Sequence, residues 1–129
     1  MTTIKSFTSL EQSKKLAELL PLESADKFYC YGMDIHTKKC GYDTVPTIID
    51  ADNQIDICDI PCWSLAALIS VLPDSIYDNT DEFSQLEFTK KSVAYIQGTT
   101  DGVKIGTLKD NLVDACYEMA LKLHKLNLL

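Results

Sequence analysis

Between Gln85 and Leu126 the hydrophobic period changes once, from two to about 3.6. This change limits the chain to folds that place strands directly against a helix. In "QLEFTKKSVAYIQGTTDGVKIGTL", Leu86 and Phe88 share one face. Val93 and Tyr95 share a face, Ala94 and Ile96 take the other, and Val103 pairs in parity with Ile105. "GTTDG" is a glycine-bounded turn, so the block reads as three antiparallel strands joined by hairpins. The next block, "DNLVDACYEMALKLHKLNLL", repeats Leu112, Ala115, Cys116, Met119, Leu123 and Leu126 at helical spacing. Asn111 with Asp114 resembles a cap pair, and Glu118 precedes Lys122 by four in the favorable order.

Two further helices are expected upstream. Ser9–Leu20 carries Leu10, Leu16, Ala17, Leu19 and Leu20, and Pro21 stops it. Thr8 with Glu11, or Ser9 with Gln12, supplies a capping box. In "DICDIPCWSLAALISVLP", Pro61 suits a first helical turn and Asp59 suits the cap before it. That predicts a helix over Pro61–Leu72, ended by Pro73. Asp26–Gly32 reads as a strand, "VPTIID" and "QIDICD" as short β pieces, and "DSIYDNTDE" as an acidic loop. The expected architecture is α+β: an antiparallel sheet of about three to five strands with three helices packed on it. At 129 residues, the chain is expected to form a single globular domain, 1–129.

Charge narrows the function. There are 19 acidic residues against 12 basic ones, and every basic residue is lysine. Arginine, whose planar fork reads phosphate and guanine edges, is absent. A net charge of −7 also repels nucleic acid at long range, so nucleic-acid binding is not expected. Between Lys39 and Lys90 there is no basic residue, while ten acids occur. Asp50, Asp52, Asp56, Asp74, Asp78, Asp81 and Glu82 form the candidate acidic surface.

Five cysteines, Cys30, Cys40, Cys58, Cys62 and Cys116, give an odd count. "MTTIKSFTSLEQ" lacks the apolar core of a secretory leader, so free thiols and a cytoplasmic location are expected. Ile60–Pro73 is too short and too interrupted by serine to span a bilayer.

Each chemical motif fails on its partners. Cys58 and Cys62 lie near zinc spacing, but no second tight pair accompanies them. A C-x-x-C motif is absent, and Cys62 precedes Trp63 and an apolar run. "DADNQIDICDIP" opens like a calcium loop, yet Ile55 stands at the glycine position and Pro61 at the glutamate position. There is no G-x-S-x-G, P-loop or dinucleotide fingerprint. His36 sits in a polar loop and His124 within the last helix. No catalytic residue, metal ligand or cofactor is expected.

Pro61–Leu72 contains only Ser64 and Ser70 as polar residues, on different faces. A helix apolar around most of its girth is sandwiched or forms an interface. Trp63, Leu65, Leu68, Ile69 and Leu72 are therefore the candidate interface, filling either a core layer or a homodimer contact.

Three blocks carry a resemblance: "LEQSKKLAELLPLESAD", "PCWSLAALISVLP" and "VDACYEMALKLHKLNLL". In order and spacing they resemble a family of short, uncharacterised proteins encoded in phages and mobile elements of gut anaerobes. The resemblance covers roughly half the chain, at both ends and in the middle helix. It implies a phage-like genomic context and a cytosolic setting, and it transfers no site. The expected function is that of a small, acidic, non-enzymatic binding or accessory protein acting on a protein partner. The alternatives are an acidic nucleic-acid mimic that blocks a basic host protein, and a small thiol or hydrolytic enzyme.

Overall fold

The computed structural model describes residues 5–31, 36–37, 41, 46–50, 59–77, 83–97 and 102–129. The α+β class is observed, with the described strands divided between two antiparallel sheets, one of three strands and one of four. The chain gathers into two compact units, Phe7–Ala67 and Leu68–Leu129 with Met1–Ser6.

In the Phe7–Ala67 unit, helix α1 (Leu10–Ala17) starts at Ser9. Ser9 Oγ accepts from the Gln12 N–H at 3.2 Å, and Gln12 Oε1 accepts from the Ser9 N–H at 3.0 Å. Of the two capping boxes open in the sequence, this is the one formed. The helix is shorter than the expected Ser9–Leu20. Leu19 and Leu20 continue only as turns onto the Leu16 carbonyl, because Pro21 disfavors helical geometry at the residue before it.

Strand β1 (Lys27–Cys30) is central in the three-stranded sheet. It pairs with β2 (Thr47–Asp50) on one side and β3 (Ile60–Cys62) on the other. Phe28 lies opposite both Ile49 and Pro61 and is buried. Helix α1 packs on β3.

The expected helix at Pro61–Leu72 is corrected here. Residues 60–62 are strand, and helix α2 spans only Leu65–Val71. Two pairings claim this segment. Pro61 pairs with Phe28, and the Thr8 N–H donates to the Trp63 carbonyl at 2.9 Å beside the Phe7–Ser64 bridge. An edge strand tolerates proline, and β3 is an edge. The cap is Ser64, not Asp59. Ser64 Oγ accepts from the Ala67 N–H at 3.2 Å. Asp26 in turn takes both the Ser64 N–H and the Ser64 hydroxyl on its carboxylate.

In the Leu68–Leu129 unit the order is β4-β5-β6-β7, a simple meander. The strands are β4 (Ser75–Tyr77), β5 (Phe83–Phe88), β6 (Ser92–Gln97) and β7 (Gly102–Leu108). The three expected hairpin strands are thus present. Strand β4 was not expected; it lies in the segment read as an acidic loop and pairs Ile76 with Ser84. Helix α3 (Leu112–Lys125) packs on β6 and β7. Its Val113, Ala115, Cys116, Met119, Ala120 and Leu123 are buried, as are Val93 and Tyr95 on β6. The Asp114 N–H donates to Asn111 Oδ1 at 2.8 Å, which forms the expected cap.

The end of α3 carries a device the sequence reading did not include. Asn127 has a φ of 59°, the left-handed region that asparagine tolerates. The Asn127 N–H reaches the His124 carbonyl, and the Leu128 N–H reaches the Leu123 carbonyl. This is a Schellman cap, and it satisfies the last helical carbonyls.

Candidate functional site

Hydroxyl and thiol groups converge where the segment before α1 crosses the β3–α2 junction. Thr8, Ser13 and Cys62 are all fully buried. Thr8 Oγ1 lies 2.7 Å from Ser13 Oγ and 3.6 Å from Cys62 Sγ, and it accepts from the Trp63 N–H at 3.2 Å. The Tyr29 hydroxyl donates to the Thr8 carbonyl at 2.7 Å, and the Cys62 thiol donates to the same carbonyl at 3.5 Å. The Trp63 indole N–H donates to Ser24 Oγ, whose hydroxyl donates to the Pro21 carbonyl.

The electrostatics of this cluster oppose nucleophilic chemistry. Burial pushes the Cys62 thiol up from its ordinary value, against the smaller lowering effect of hydrogen bonds from Thr8 and Ser13. Burial pushes the Tyr29 phenol up to about 12. On α3, burial alone pushes the Cys116 thiol up to about 11. A thiolate is the nucleophilic form of cysteine, and each of these thiols stays protonated at neutral pH. The cluster is a clasp: the side chains of Thr8, Ser13, Tyr29 and Cys62, with the Trp63 N–H, hold the first segment, α1, β1 and the β3–α2 junction together.

The candidate interface residues divide. Trp63, Leu68 and Leu72 are buried within the chain, while Leu65 and Ile69 are half-buried. Ala66 and Ser70, four apart, are the exposed residues of α2. Among the acidic candidates, Asp50 is exposed and holds Lys27 at 3.1 Å, and Asp74 is exposed. Asp52, Asp56, Asp78, Asp81 and Glu82 lie outside the described residues, as do Cys40 and Cys58. His36 sits exposed in a turn, and His124 is exposed on α3. Among the described residues, no three His, Cys, Asp or Glu side chains gather as a metal-ligand set. Among them, too, no helix is long and apolar enough to cross a membrane.

One corner was missed by the sequence reading. Lys90 and Lys91 occupy the β5–β6 turn, and Lys109 follows β7. The Lys109 N–H donates to the Lys91 carbonyl at 3.0 Å, so residues 18 apart in the chain become neighbors. The lysine doublet was visible in "FTKKS", but only the strand register brings Lys109 beside it. Compared with protein-family models, curated proteins and solved structures, the chain matches none.

Proposed function

We propose that this chain is a small, acidic, non-enzymatic binding or accessory protein of a phage-like element, acting through protein–protein contacts in the cytoplasm. The observation that carries this reading is the segregation of charge. Ten acids and no base lie between Lys39 and Lys90, and the two described acids of the candidate surface, Asp50 and Asp74, are exposed. Segregated charge of one sign favors encounter with a partner of the other sign. The convergence of hydroxyls and thiols supports the same reading from the opposite direction, since the fold uses those groups internally. A second copy remains a candidate partner, with Leu65 and Ile69 as the contact.

The acid-only stretch also favors a second reading: a mimic of nucleic acid that occupies the basic surface of a host protein. Cross-linking in the host cell, followed by capture of the tagged chain at rising salt, separates the two. A partner released by salt and carrying a nucleic-acid-binding surface supports the mimic. A partner retained at high salt supports the broader binding role, and recovery of the chain alone at every salt removes both.

A further inference from the structure

The four-stranded sheet ends in a corner where cationic and apolar groups meet. Phe88 ends β5 opposite Val93, and Leu108 ends β7 opposite Ser92. Both are exposed, Phe88 at 38% on the Val93 face of the sheet and Leu108 at 74% on the opposite, Ser92 face. Between and beside them stand Lys90, Lys91 and Lys109, also exposed. Three features make this corner more than a solvated turn.

First, its backbone is fixed. Thr89 Oγ1 accepts from the Lys91 and Ser92 N–H groups at 3.3 and 3.0 Å, and the Thr89 N–H donates to the Ser92 carbonyl at 2.9 Å. The Lys109–Lys91 hydrogen bond ties the third strand end to the same turn. The three lysines are therefore presented on a preorganised base, which lowers the ordering cost of binding.

Second, the charges are unspent. Lys5, Lys15 and Lys27 hold carboxylates, and Lys122 donates to the Gly106 carbonyl. None of the ammonium groups of Lys90, Lys91 and Lys109 has an ion-pair or hydrogen-bond partner among the described residues. Glu87 and Asp110 border the corner, are exposed, and form no ion pair with these lysines.

Third, the local sign is opposite to that of the whole chain, whose net charge is −7. At physiological ionic strength an exposed charge is felt over about 8 Å, so a small cationic patch acts locally against an acidic background. A long anionic polymer or a lipid surface would extend beyond the patch and meet that background. A short segment would not.

We infer that this corner docks a short carboxylate-rich segment of a partner protein, with an apolar side chain of that segment covering Leu108. Carboxylates pair with the three ammonium groups, and the apolar contact supplies the water-excluding center. This inference rests on the reading of the chain as a binding protein and adds a second surface, of opposite preference to the acidic one.

The test is fluorescence anisotropy with a labelled short peptide of alternating glutamate and leucine pairs, titrated with the full chain. Binding that weakens about tenfold or more in the Lys90→Gln/Lys91→Gln/Lys109→Gln variant supports the inference, provided a Lys14→Gln/Lys125→Gln control keeps wild-type affinity. Leu108→Ser, at an exposed position, is expected to weaken binding without changing the circular dichroism spectrum. Absence of peptide binding, or equal loss in the control, overturns the inference. So does tighter binding of phosphatidylserine vesicles or of a single-stranded oligonucleotide at the same lysines. A cellular partner captured equally by wild type and the triple variant removes the corner alone. Absence of any partner removes the binding role as well.

Discussion

At the residue scale, the buried thiols and the half-buried Tyr29 phenol mark what the interior is built to hold: neutral groups. Cys116 rises from an ordinary 9.0 to about 11, Cys62 rises in the same direction, and Tyr29 rises to about 12, in each case chiefly through burial. A raised acid group favors its protonated form in the fold. Its contribution is therefore complete below the unfolded thiol value near 9.0 and is lost as pH climbs through about 11. The chain should accordingly keep its urea midpoint from pH 7 to about 9 and lose stability steadily from there to about 11. Cys116→Ala removes one titrating group and should flatten part of that fall. A midpoint unchanged to pH 11, or an undiminished fall in the variant, would contradict burial as the cause. Native alkylation gives a second measure: Cys62 and Cys116 should resist iodoacetamide until the chain is unfolded, because both are fully buried.

At the element scale, local chemistry and distant pairing competed, and the outcome differed along the chain. Helix α3 was legible because its cap at Asn111, its apolar stripe and its basic last turn all lie within one segment. The hairpin strands were legible because alternation over six or seven residues is hard to mistake. Strand β3 was not. Asp59 and Pro61 look like a helix start when read locally, whereas the pairing that decides the matter is with Phe28, far upstream. Strand β4 has three residues, too few for a period to appear. The same contrast governs the candidate sites: the acids were readable as a run, but the lysine corner exists only through the Ser92–Leu108 register. The Ser64 cap makes the competition measurable. Ser64→Ala removes the acceptor for the Ala67 N–H and the hydroxyl donated to Asp26, leaves the backbone N–H bond to Asp26, and should cost about 1 kcal/mol in denaturant unfolding. Asp59→Ala serves as the comparison, since a cap at Asp59 would place the cost there instead.

At the scale of the whole molecule, the decisive feature is where the boundary between the two compact units falls. It lies between Ala67 and Leu68, inside α2 rather than in a linker. Domain boundaries ordinarily fall in exposed, flexible segments. A seven-residue helix is far too short to persist in water by itself, so α2 depends on packing for its existence. Leu65–Ala67 belong to one unit and Leu68–Val71 to the other, so loss of structure in either unit takes part of this helix with it and leaves too few residues for a hydrogen-bonded turn. The chain also passes the boundary a second time, between Ser6 and Phe7. Independent unfolding of the two units would therefore break α2. The expected result is one cooperative transition. The protein supplies its own reporters: Trp63, the single tryptophan, belongs to the Phe7–Ala67 unit, while α3, the longest helix among the described residues, dominates the far-ultraviolet signal from the other. In a urea titration, Trp63 fluorescence and helical ellipticity should give the same midpoint and the same slope. Separate midpoints would mean that α2 does not couple the units and that the chain behaves as two domains.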